Sequence, residues 1–386
     1  MLHATSVPAS WKRVVADTTR YRVPRPLLVP LARLNGLKYV RFFLGDEYER
    51  LSYVLDWREA WESDPALDAD LCDVNDALAM ARARRRMRSY DLVVVLHSAA
   101  GDSLARVRTL APALQRRSCP LVVFFGNEYI RMAEKAGFAT EVGAEFIASQ
   151  LPPEPARWLY AACQGSRVLH TPPALNPRIY RPLGLPRTTD LGFRGDIYQD
   201  AMAIGDIDRT AVLELFKSRA ADLGLTVDIE YDRVGREDWN LLLNRWHGVV
   251  GAESGAQYLE RDDTTRAAVV AYVGEHPDAR WEDVHARFFA DRPPGLSGKA
   301  ISSRHFEPAG AGTCQVLVEG RYNDILVAGE HYIRLRRDHS NLGEVVAAFK
   351  DVTHRRAIVD RCRELVLGSH TYRHRVRAVL KDVLGA

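Results

Sequence analysis

The first half of the chain alternates short, wholly apolar runs with longer stretches in which apolar residues recur at helical spacing. Residues 91–96 read DLVVVL, residues 121–125 read LVVFF, and a helical pattern over 103–115 lies between them. Uninterrupted apolar runs of this length are typical of strands in a parallel sheet that is covered by helices on both faces. The pattern therefore predicts a doubly wound α/β domain.

Residues 172–186 separate the two halves of the chain and contain many prolines. Proline lacks an N–H donor and has a fixed φ, so this stretch predicts a semi-rigid connector instead of a helix or a central strand. The second half then repeats the alternation, except over residues 264–294, where a helical pattern without a strand indicates an inserted arm.

At 386 residues the chain is long for one hydrophobic core. We expect an N-terminal Rossmann-like domain over residues 1–183 and a C-terminal Rossmann-like domain over residues 184–368. A final helix over residues 369–386 is expected to cross back to the first domain.

Composition narrows the class of protein further. No run approaches the roughly 18 uninterrupted apolar residues of a membrane helix, and residues 1–13 lack the apolar core of a signal peptide, so we expect a cytoplasmic protein. The five cysteines are scattered without a CxxC pair, which favours reduced, mostly buried thiols over a disulfide framework or a zinc site. The net charge of +3 is too small to indicate nucleic-acid binding.

One local run is strongly basic. It consists of Arg82, Arg84, Arg85, Arg86 and Arg88. This pattern is typical of the solvated end of a helix, where cations are favoured by the helix dipole. The alternative is a patch that contacts anionic lipid head groups or an anionic acceptor, which would make the protein membrane-associated.

The most informative segment lies between residues 302 and 335. Glu307 is followed by Pro308, by the small residues 309–312, and by an apolar strand-like run at 316–318. Proline suits the first position of a helix and glycine suits its exit, so the pattern predicts a short helix from Pro308 to Gly312. Its free N–H groups would form a phosphate site, and Glu307 at its entrance would bind the two hydroxyls of a ribose.

This segment resembles the donor-binding motif F-E-x-x-A-x-G-T of retaining GT-B glycosyltransferases, the glycosyltransferase group 1 type. Residues 368–380, GSHTYRHRVRAVL, are similar to the ending of the branch related to the spore protein family CgeB. Asn176, Tyr180 and Pro182 in the connector match the places of a motif that often joins the two GT-B domains.

The resemblance implies a GT-B fold with two Rossmann-like domains that face a central cleft, the first on the acceptor side and the second binding the nucleotide sugar. It also implies transfer of a glycosyl group from a nucleoside diphosphate sugar to a hydroxyl of a small-molecule or glycan acceptor, with retention of configuration. Retaining members of this fold usually need no metal and no other cofactor, because arginine and lysine side chains stabilise the leaving diphosphate. Nucleic acid is not an expected partner.

The resemblance further implies a set of donor-binding residues in the second half. Arg194 and Arg209 are expected to bind the phosphates, although each can also be an exposed end of its element. Glu253 to Gly255 are expected near the base, or else form a plain turn. The full set is Glu307, Arg194, Arg209, Glu253, Ser254, Gly255, Lys299, Ser303, His305, Ala309, Gly310, Ala311, Gly312 and Thr313.

One position departs from the family pattern. The family has an acid eight positions before the residue that matches Glu307, and this acid usually contacts the sugar, but here that position is Lys299. Lys299 can instead meet a phosphate. His305 can equally be a structural side chain that packs beside Phe306.

Two residues of the first half are candidates for catalysis together with Arg194. His97 ends the run DLVVVL, where a histidine can hold a hydroxyl or share its proton, although a buried structural histidine is an equal alternative. Glu128 follows the second apolar run and is the carboxylate that we place near the acceptor.

Other classes are disfavoured, because no Ser-His-Asp order, HExxH, Walker A or GxGxxG motif is present. Two alternatives remain. One is a sugar-nucleotide epimerase on the same fold, and the other is a non-catalytic scaffold with a relic nucleotide site, for which Lys299 is the main support.

Overall fold

A computed structural model describes residues 2–3, 52–195, 201–291 and 296–385. The chain forms two compact units. The first comprises Met1–Ser149, Tyr160–His170 and Val376–Ala386, and the second comprises Gln150–Leu159 and Thr171–Arg375. The domain boundaries given above stay a prediction.

The first unit contains a parallel sheet of six strands among its described residues, in the order β2-β1-β3-β4-β5-β6. The strands are β1 Leu2–His3, β2 Cys72–Asp73, β3 Val93–Val95, β4 Leu121–Phe124, β5 Phe146–Ser149 and β6 Arg167–His170. The helices between them are α1 Ser52–Ser63, α2 Ala77–Arg86, α3 His97–Ala100, α4 Ala111–Leu114 and α5 Met132–Glu141. Every residue of β3 and β4 is buried, which agrees with the apolar runs that predict these strands.

The predicted helix over 103–115 is wrong. Leu104 has a φ of 55°, and a 3₁₀ helix at Val107–Leu110 precedes the short helix α4. The left-handed backbone at Leu104 interrupts a helical path. Pro112 cannot donate to the carbonyl four residues earlier, so a continuous helix is not favoured here.

The second unit contains a parallel sheet of five strands among its described residues, in the order β13-β12-β9-β7-β8, and a two-stranded antiparallel hairpin of β10 and β11. The strands are β7 Thr189–Arg194, β8 Val227–Glu230, β9 Trp246–Gly251, β10 Ser254–Ala256, β11 Gly298–Ala300, β12 Cys314–Val318 and β13 Ile333–Leu335. The helices are α6 Pro153–Leu159, α7 Ala201–Ile204, α8 Ile207–Leu223, α9 Arg236–Arg245, α10 Thr264–Glu275, α11 Trp281–Phe288, α12 Ser303–Ala311, α13 Leu342–Lys350, α14 Val352–Ser369 and α15 Tyr372–Leu384, whose last residues belong to the first unit.

The five-stranded sheet has a hydrophobic core on each face. Val316 and Val318 pack with Phe216 of α8 and Phe349 of α13 on one face, while Leu317 packs on the other. This alternation follows from the period of two along a strand. The second core contains aromatic and apolar residues of α9, α12 and α14, among them Trp239, Phe306 and Val366. The predicted doubly wound α/β architecture is therefore present.

The strand order shows where the chain reverses the side on which it adds strands to each sheet. In the second unit, β7 lies between β8 and β9, so the chain leaves β7 toward one side and later returns to the other side. In the first unit, β1 lies between β2 and β3 in the same way. Ligands of open α/β sheets bind outside the carboxyl ends of the strands at such switch points. The segments after β3, β7 and β9 are therefore the places to look for a site.

The inserted arm is helical, as predicted, and consists of α10 and α11 in the described part of residues 264–294. Its aromatic side chains pack on the segment after β10, where the rings of Tyr258 and Phe289 stack at 4.2 Å between centroids. Among the helices described by the structure, none combines the length and the apolar character needed to cross a bilayer.

Candidate functional site

Helix α12 begins earlier than the sequence predicts. Ser302 is its N-cap, and the capping box is closed by His305, whose Nδ1 atom accepts a hydrogen bond of 2.9 Å from the Ser302 N–H. The prediction that the helix starts at Pro308 is wrong, because Pro308 lies inside it. The side chains of Ser302 and His305 satisfy the helix N-terminus before the proline is reached. The free N–H end of this helix is therefore at Ser303 and not at Pro308.

Glu307 consequently lies within the helix and not at its entrance. Glu307 is 0% exposed, and its Oε2 atom accepts a hydrogen bond of 2.7 Å from the Trp239 indole N–H. The Arg304 guanidinium lies 3.9 Å from the same oxygen. The predicted position at the lip of the helix is wrong, since the carboxylate is directed into the second unit. Ribose binding by Glu307 stays a prediction, and it requires a nucleotide to reach a carboxylate that Trp239 already contacts.

The small residues 309–313 form the last turn of α12 and its exit. Gly312 has a φ of 71° and caps the helix, which confirms the predicted exit. A Cβ atom on Gly310 would lie 2.5 Å from Leu175 Cδ1 and 2.7 Å from the Tyr180 carbonyl oxygen. The Thr313 hydroxyl donates to the Leu243 carbonyl at 2.6 Å.

These five residues therefore serve close packing, and their predicted place at the anion-binding end of a helix is wrong. The carboxyl end of a helix carries exposed carbonyl oxygens and a partial negative charge, which disfavours a phosphate. Here that end is instead covered by the Arg187 guanidinium, which donates to the carbonyl of Gly312 at 2.7 Å.

His305 and Glu253 are buried and hold neighbouring loops in place. His305 Nε2 lies 3.1 Å from the Ala252 carbonyl oxygen, so the neutral ring donates there and accepts at Nδ1. Burial, together with the positive charge of Arg209, lowers the pKa of His305 to about 4. Glu253 accepts from the backbone N–H of Tyr322 at 2.6 Å and of Arg321 at 3.2 Å, while burial raises its pKa. The structural alternative for His305 agrees with these contacts.

The hairpin of β10 and β11 is tied to the start of α8 by polar contacts. The Lys299 ammonium pairs with the carboxylate of Asp206, the N-cap of α8, and their side chains are 5% and 0% exposed. Arg209 donates from Nη2 to the Ser254 hydroxyl at 2.6 Å. Gly255 pairs with Lys299 across the hairpin and has a φ of 94°. Lys299 therefore has its charge neutralised by a buried carboxylate, and in this arrangement it does not present a free cation to a phosphate.

Arg194 lies at the carboxyl end of β7, as predicted, but its guanidinium is engaged. Nη2 lies 2.7 Å from Asp228 Oδ1, and Nη1 donates to the Phe193 carbonyl at 2.8 Å. The guanidinium also lies 5.4 Å from the ring of Trp246, and the side chain is 13% exposed. These contacts connect β7 with β8. The catalytic role of Arg194 stays a prediction, and it would require the ion pair with Asp228 to open.

Three arginines, Arg209, Arg233 and Arg304, lie near the start of α12, and of these the sequence predicts only Arg209 as a site residue. Arg304 is half-buried, with 29% of its side chain exposed, and lies over the Trp239 ring at 4.3 Å from its centroid. Burial lowers the pKa of its guanidinium, Glu307 opposes this shift, and the positive charges of Arg233 and Arg209 lower the pKa further. Within the described part of the chain, Arg304 Nη1 is buried and donates no hydrogen bond.

Arg209, Arg233 and Arg304 come from the start of α8, the segment after β8 and the first turn of α12. The spacing of three between Arg304 and Glu307 on one helix was a usable signal for Arg304. Arg233 had none, because only the sheet order brings its loop to this place. Three cations beside the N-terminal end of a helix, at the switch point of the sheet, form an environment that favours an anion with several oxygens.

His97 lies beside the switch point of the first sheet. It starts α3 directly after β3 and stacks on Tyr53, with 4.9 Å between ring centroids. Burial lowers the pKa of His97 to about 4, so the ring is neutral at physiological pH. Its Nε2 atom is buried and has no hydrogen-bond partner in the part of the chain that the structure describes. A neutral imidazole nitrogen in this state can exchange a hydrogen bond with the hydroxyl of a ligand.

Glu128 is buried in the first unit and does not face solvent. Its Oε1 atom accepts hydrogen bonds of 2.7 Å from both the Ser149 and the Tyr160 hydroxyls. Nearby, the fully buried Lys135 donates to the carbonyls of Gly126 at 2.7 Å and Asn127 at 3.0 Å. These contacts shape the loop after β4. With these hydroxyl partners Glu128 has a structural role, and its catalytic role stays a prediction.

Comparison with known proteins adds three observations. A family model described as "Glycosyl transferase-like" matches residues 260–381, a segment that contains β11 and α12. No curated protein matches the sequence. An alpha-glucosyltransferase solved in complex with UDP and a 13-mer DNA is similar in structure, with a TM-score of 0.50 and 8% identity over 88% of this chain and 96% of that chain.

Two further solved structures have lower scores. Alr3699/HepE of Anabaena in complex with UDP-glucose has a TM-score of 0.48 and 9% identity, over 100% of this chain and 98% of that chain. AviGT4, a glycosyltransferase involved in avilamycin A biosynthesis, has a TM-score of 0.45 and 14% identity, over 86% of this chain and 90% of that chain.

The alpha-glucosyltransferase and the two parallel sheets confirm the predicted GT-B fold class. The chain thus combines a glycosyl transferase-like segment with a GT-B fold, and the prediction of a glycosyltransferase is confirmed at that level. The retaining mechanism and the CgeB-related branch stay predictions. Among the described residues, no group of three or more His, Cys, Asp or Glu side chains is arranged to hold a metal ion.

Proposed function

We propose that this protein transfers a sugar from a nucleoside diphosphate sugar to a hydroxyl acceptor, with retention of configuration and without a metal ion. The observation that supports this most strongly is the arginine group of Arg209, Arg233 and Arg304 at the start of α12. Arg209 follows β7, the strand at the switch point of the sheet, and Arg304 lies within the segment that matches the glycosyltransferase model.

The diphosphate of the donor would lie at the N-terminal end of α12. There the N–H groups at the start of the helix and the guanidinium groups would stabilise the charge that develops when the glycosyl bond breaks. Burial, and after it the positive charges of Arg233 and Arg209, lower the pKa of Arg304, and a bound anion would oppose both effects, which makes the arrangement suited to bind one. Solved neighbours with UDP or UDP-glucose support a uridine nucleotide as the first donor to test.

On the acceptor side, we propose that His97 holds the hydroxyl of a small molecule or glycan through its Nε2 atom, which has no hydrogen-bond partner among the described residues. With a pKa of about 4, the imidazole would act as a neutral hydrogen-bond partner and not as a strong base. Retention would then follow if the leaving diphosphate accepts the proton of the incoming hydroxyl on the same face of the sugar.

Calorimetric titration of UDP, GDP and TDP into the full chain tests the donor site. We expect one of them to bind, and Arg209→Gln to weaken that binding by about 10- to 150-fold, the range that corresponds to a lost charge-assisted hydrogen bond. Arg219→Gln is a matched control, because Arg219 lies on the same helix α8 but pairs with Asp222 on its exposed surface. Equal affinities for the two variants would refute the arginine site.

The role of Glu307 requires a separate test. Glu307→Gln keeps an oxygen that can accept from the Trp239 indole, so the variant should fold. If Glu307 binds the ribose hydroxyls, the wild-type chain should prefer UDP over 2′-deoxy-UDP and the variant should lose that preference. An identical preference in both chains would exclude Glu307 from ribose binding.

Transfer itself is tested by a mass-spectrometric screen of sugar nucleotides with pooled acceptors. The proposal expects a glycosylated product whose anomeric configuration, measured by NMR, equals that of the donor. A product of inverted configuration would contradict retention, and turnover that stops when divalent metals are chelated would contradict the metal-free mechanism.

A further inference from the structure

Helix α2 of the first unit has one face that contacts the protein and one that does not. Its start is capped by Asp76, whose Oδ1 atom accepts from the backbone N–H of Leu78 at 2.8 Å. Met80 and Ala83 are buried and attach the helix to the unit. Spacings of four and three place Leu78, Arg82 and Arg85 together on the opposite side. We call these three residues the outer face of α2.

The arginines of this region fall into two groups. Three of them contact the protein itself: Arg84 donates to the Thr109 carbonyl at 3.2 Å, Arg86 lies 2.6 Å from Asp70, and Arg88 donates to the Arg116 carbonyl at 3.2 Å. Arg82 and Arg85 are exposed and make no hydrogen bond or ion pair within the described part of the chain. The outer face therefore carries two free cations.

The same face also carries an apolar side chain. Leu78 is 70% exposed, a larger fraction than for any other large hydrophobic residue that the structure describes as exposed. The sequence of α2, ALAMARARRR, contains no acidic residue. An exposed leucine beside unpaired arginines on one helix face is the pattern of a helix that lies in the plane of a membrane surface.

We propose that the outer face of α2 docks the protein onto an anionic lipid bilayer. Arg82 and Arg85 would contact the negative head groups, and Leu78 would insert among the first carbons of the acyl chains. A nucleic acid or a free polyanion offers partners for the arginines but none for Leu78, which is why the observations favour lipid. The outer face contains none of the residues assigned to donor and acceptor, so the proposal does not depend on the proposed function.

The test is co-sedimentation of the purified full chain with vesicles. One set is pure phosphatidylcholine, and the other contains about 30% phosphatidylserine, a composition that gives a negative surface potential. We expect binding to the second set at low salt and release at about 0.5 M salt, where the screening length is much shorter. Absence of binding to anionic vesicles at low salt would overturn the proposal.

Two double variants that each remove two positive charges distinguish the outer face from the rest of the basic run. Arg82→Gln/Arg85→Gln should lower the partition coefficient by about 25-fold, since each surface arginine contributes about a fivefold attraction. Arg84→Gln/Arg86→Gln removes the same charge from residues that bind the protein itself, and should lower it by less than about 5-fold. Equal losses for the two double variants would overturn the assignment to the outer face.

Leu78→Ser tests the lipid directly, because it leaves the charge unchanged. We expect weaker vesicle binding with unaltered retention on heparin. If Leu78→Ser binds vesicles as wild type does and heparin competes fully, the face binds polyanions in general and the lipid proposal is overturned. Leu78, Arg82 and Arg85 are exposed, so thermal melting of Leu78→Ser and of Arg82→Gln/Arg85→Gln should coincide with that of the wild type.

Discussion

Lys299→Met is predicted to destabilise the second unit strongly. In the wild-type chain the Lys299 ammonium and the Asp206 carboxylate form a pair whose side chains are 5% and 0% exposed. The substitution keeps the volume and the β11 backbone but leaves a buried carboxylate without its cation. Removal of one partner from a buried ion pair typically costs about 3–5 kcal/mol. For a unit of this size, that corresponds to a lower melting temperature by about 6–20 °C.

Urea unfolding followed by tryptophan fluorescence measures the effect, because Trp239 and Trp246 lie in the core of the second unit. Arg219→Met is the control, since Arg219 and Asp222 are 50% and 68% exposed and such pairs contribute about 1 kcal/mol or less. The double variant Lys299→Met/Asp206→Leu should recover most of the loss, because it removes both charges. A Lys299→Met variant as stable as the control, or a double variant that loses the sum of both single effects, would refute the reasoning.

Three further predictions follow from buried groups. His305 has a folded pKa of about 4 against an ordinary value of 6.5, so the stability that it contributes as a neutral ring is complete above pH 6.5 and is lost as the pH falls toward 4. This pKa difference corresponds to up to about 3 kcal/mol of the free energy of unfolding. The free energy of unfolding of His305→Gln, measured in urea, should therefore depend less on pH over this range than that of the wild type. Parallel pH dependences of the two chains would contradict the assignment. Gly310→Ala should lower the free energy of unfolding by about 1–3 kcal/mol in the same assay, because the added methyl group would lie 2.7 Å from the Tyr180 carbonyl oxygen. The affinity of this variant for UDP, measured by calorimetry, should not change. His97→Phe should keep the stack on Tyr53 and remove Nε2, which has no partner among the described residues, so the melting temperature should not fall while turnover does. Unchanged turnover would exclude His97 from the reaction.

The fold was largely readable because the strands are marked by uninterrupted apolar runs. DLVVVL and LVVFF contain β3 and β4, and residues 316–318 are part of β12. The helix over 103–115 could not be read correctly, since apolar periodicity continues through Leu104 although its backbone is left-handed. Periodicity reports which side chains are buried and does not report the backbone conformation between them.

The location of the site could be predicted from the sequence, but its contacts could not. Glu307 and Pro308 were recognised, yet the capping box of Ser302 and His305 moves the helix start by several residues and turns Glu307 toward Trp239. The partners of Lys299 and Arg194 are Asp206 and Asp228, which are distant in the sequence. Whether a charged side chain is free or paired depends on such tertiary contacts, and a single sequence does not record them.

The central claim is that the diphosphate of a sugar nucleotide binds at the N-terminal end of α12 beside Arg209 and Arg304. A crystal structure of the full chain with UDP tests it most directly. The account predicts phosphate oxygens within hydrogen-bond distance of the Ser303 backbone N–H and of at least one of these two guanidinium groups. A structure in which UDP occupies another part of the molecule, with both arginines unchanged, would contradict it.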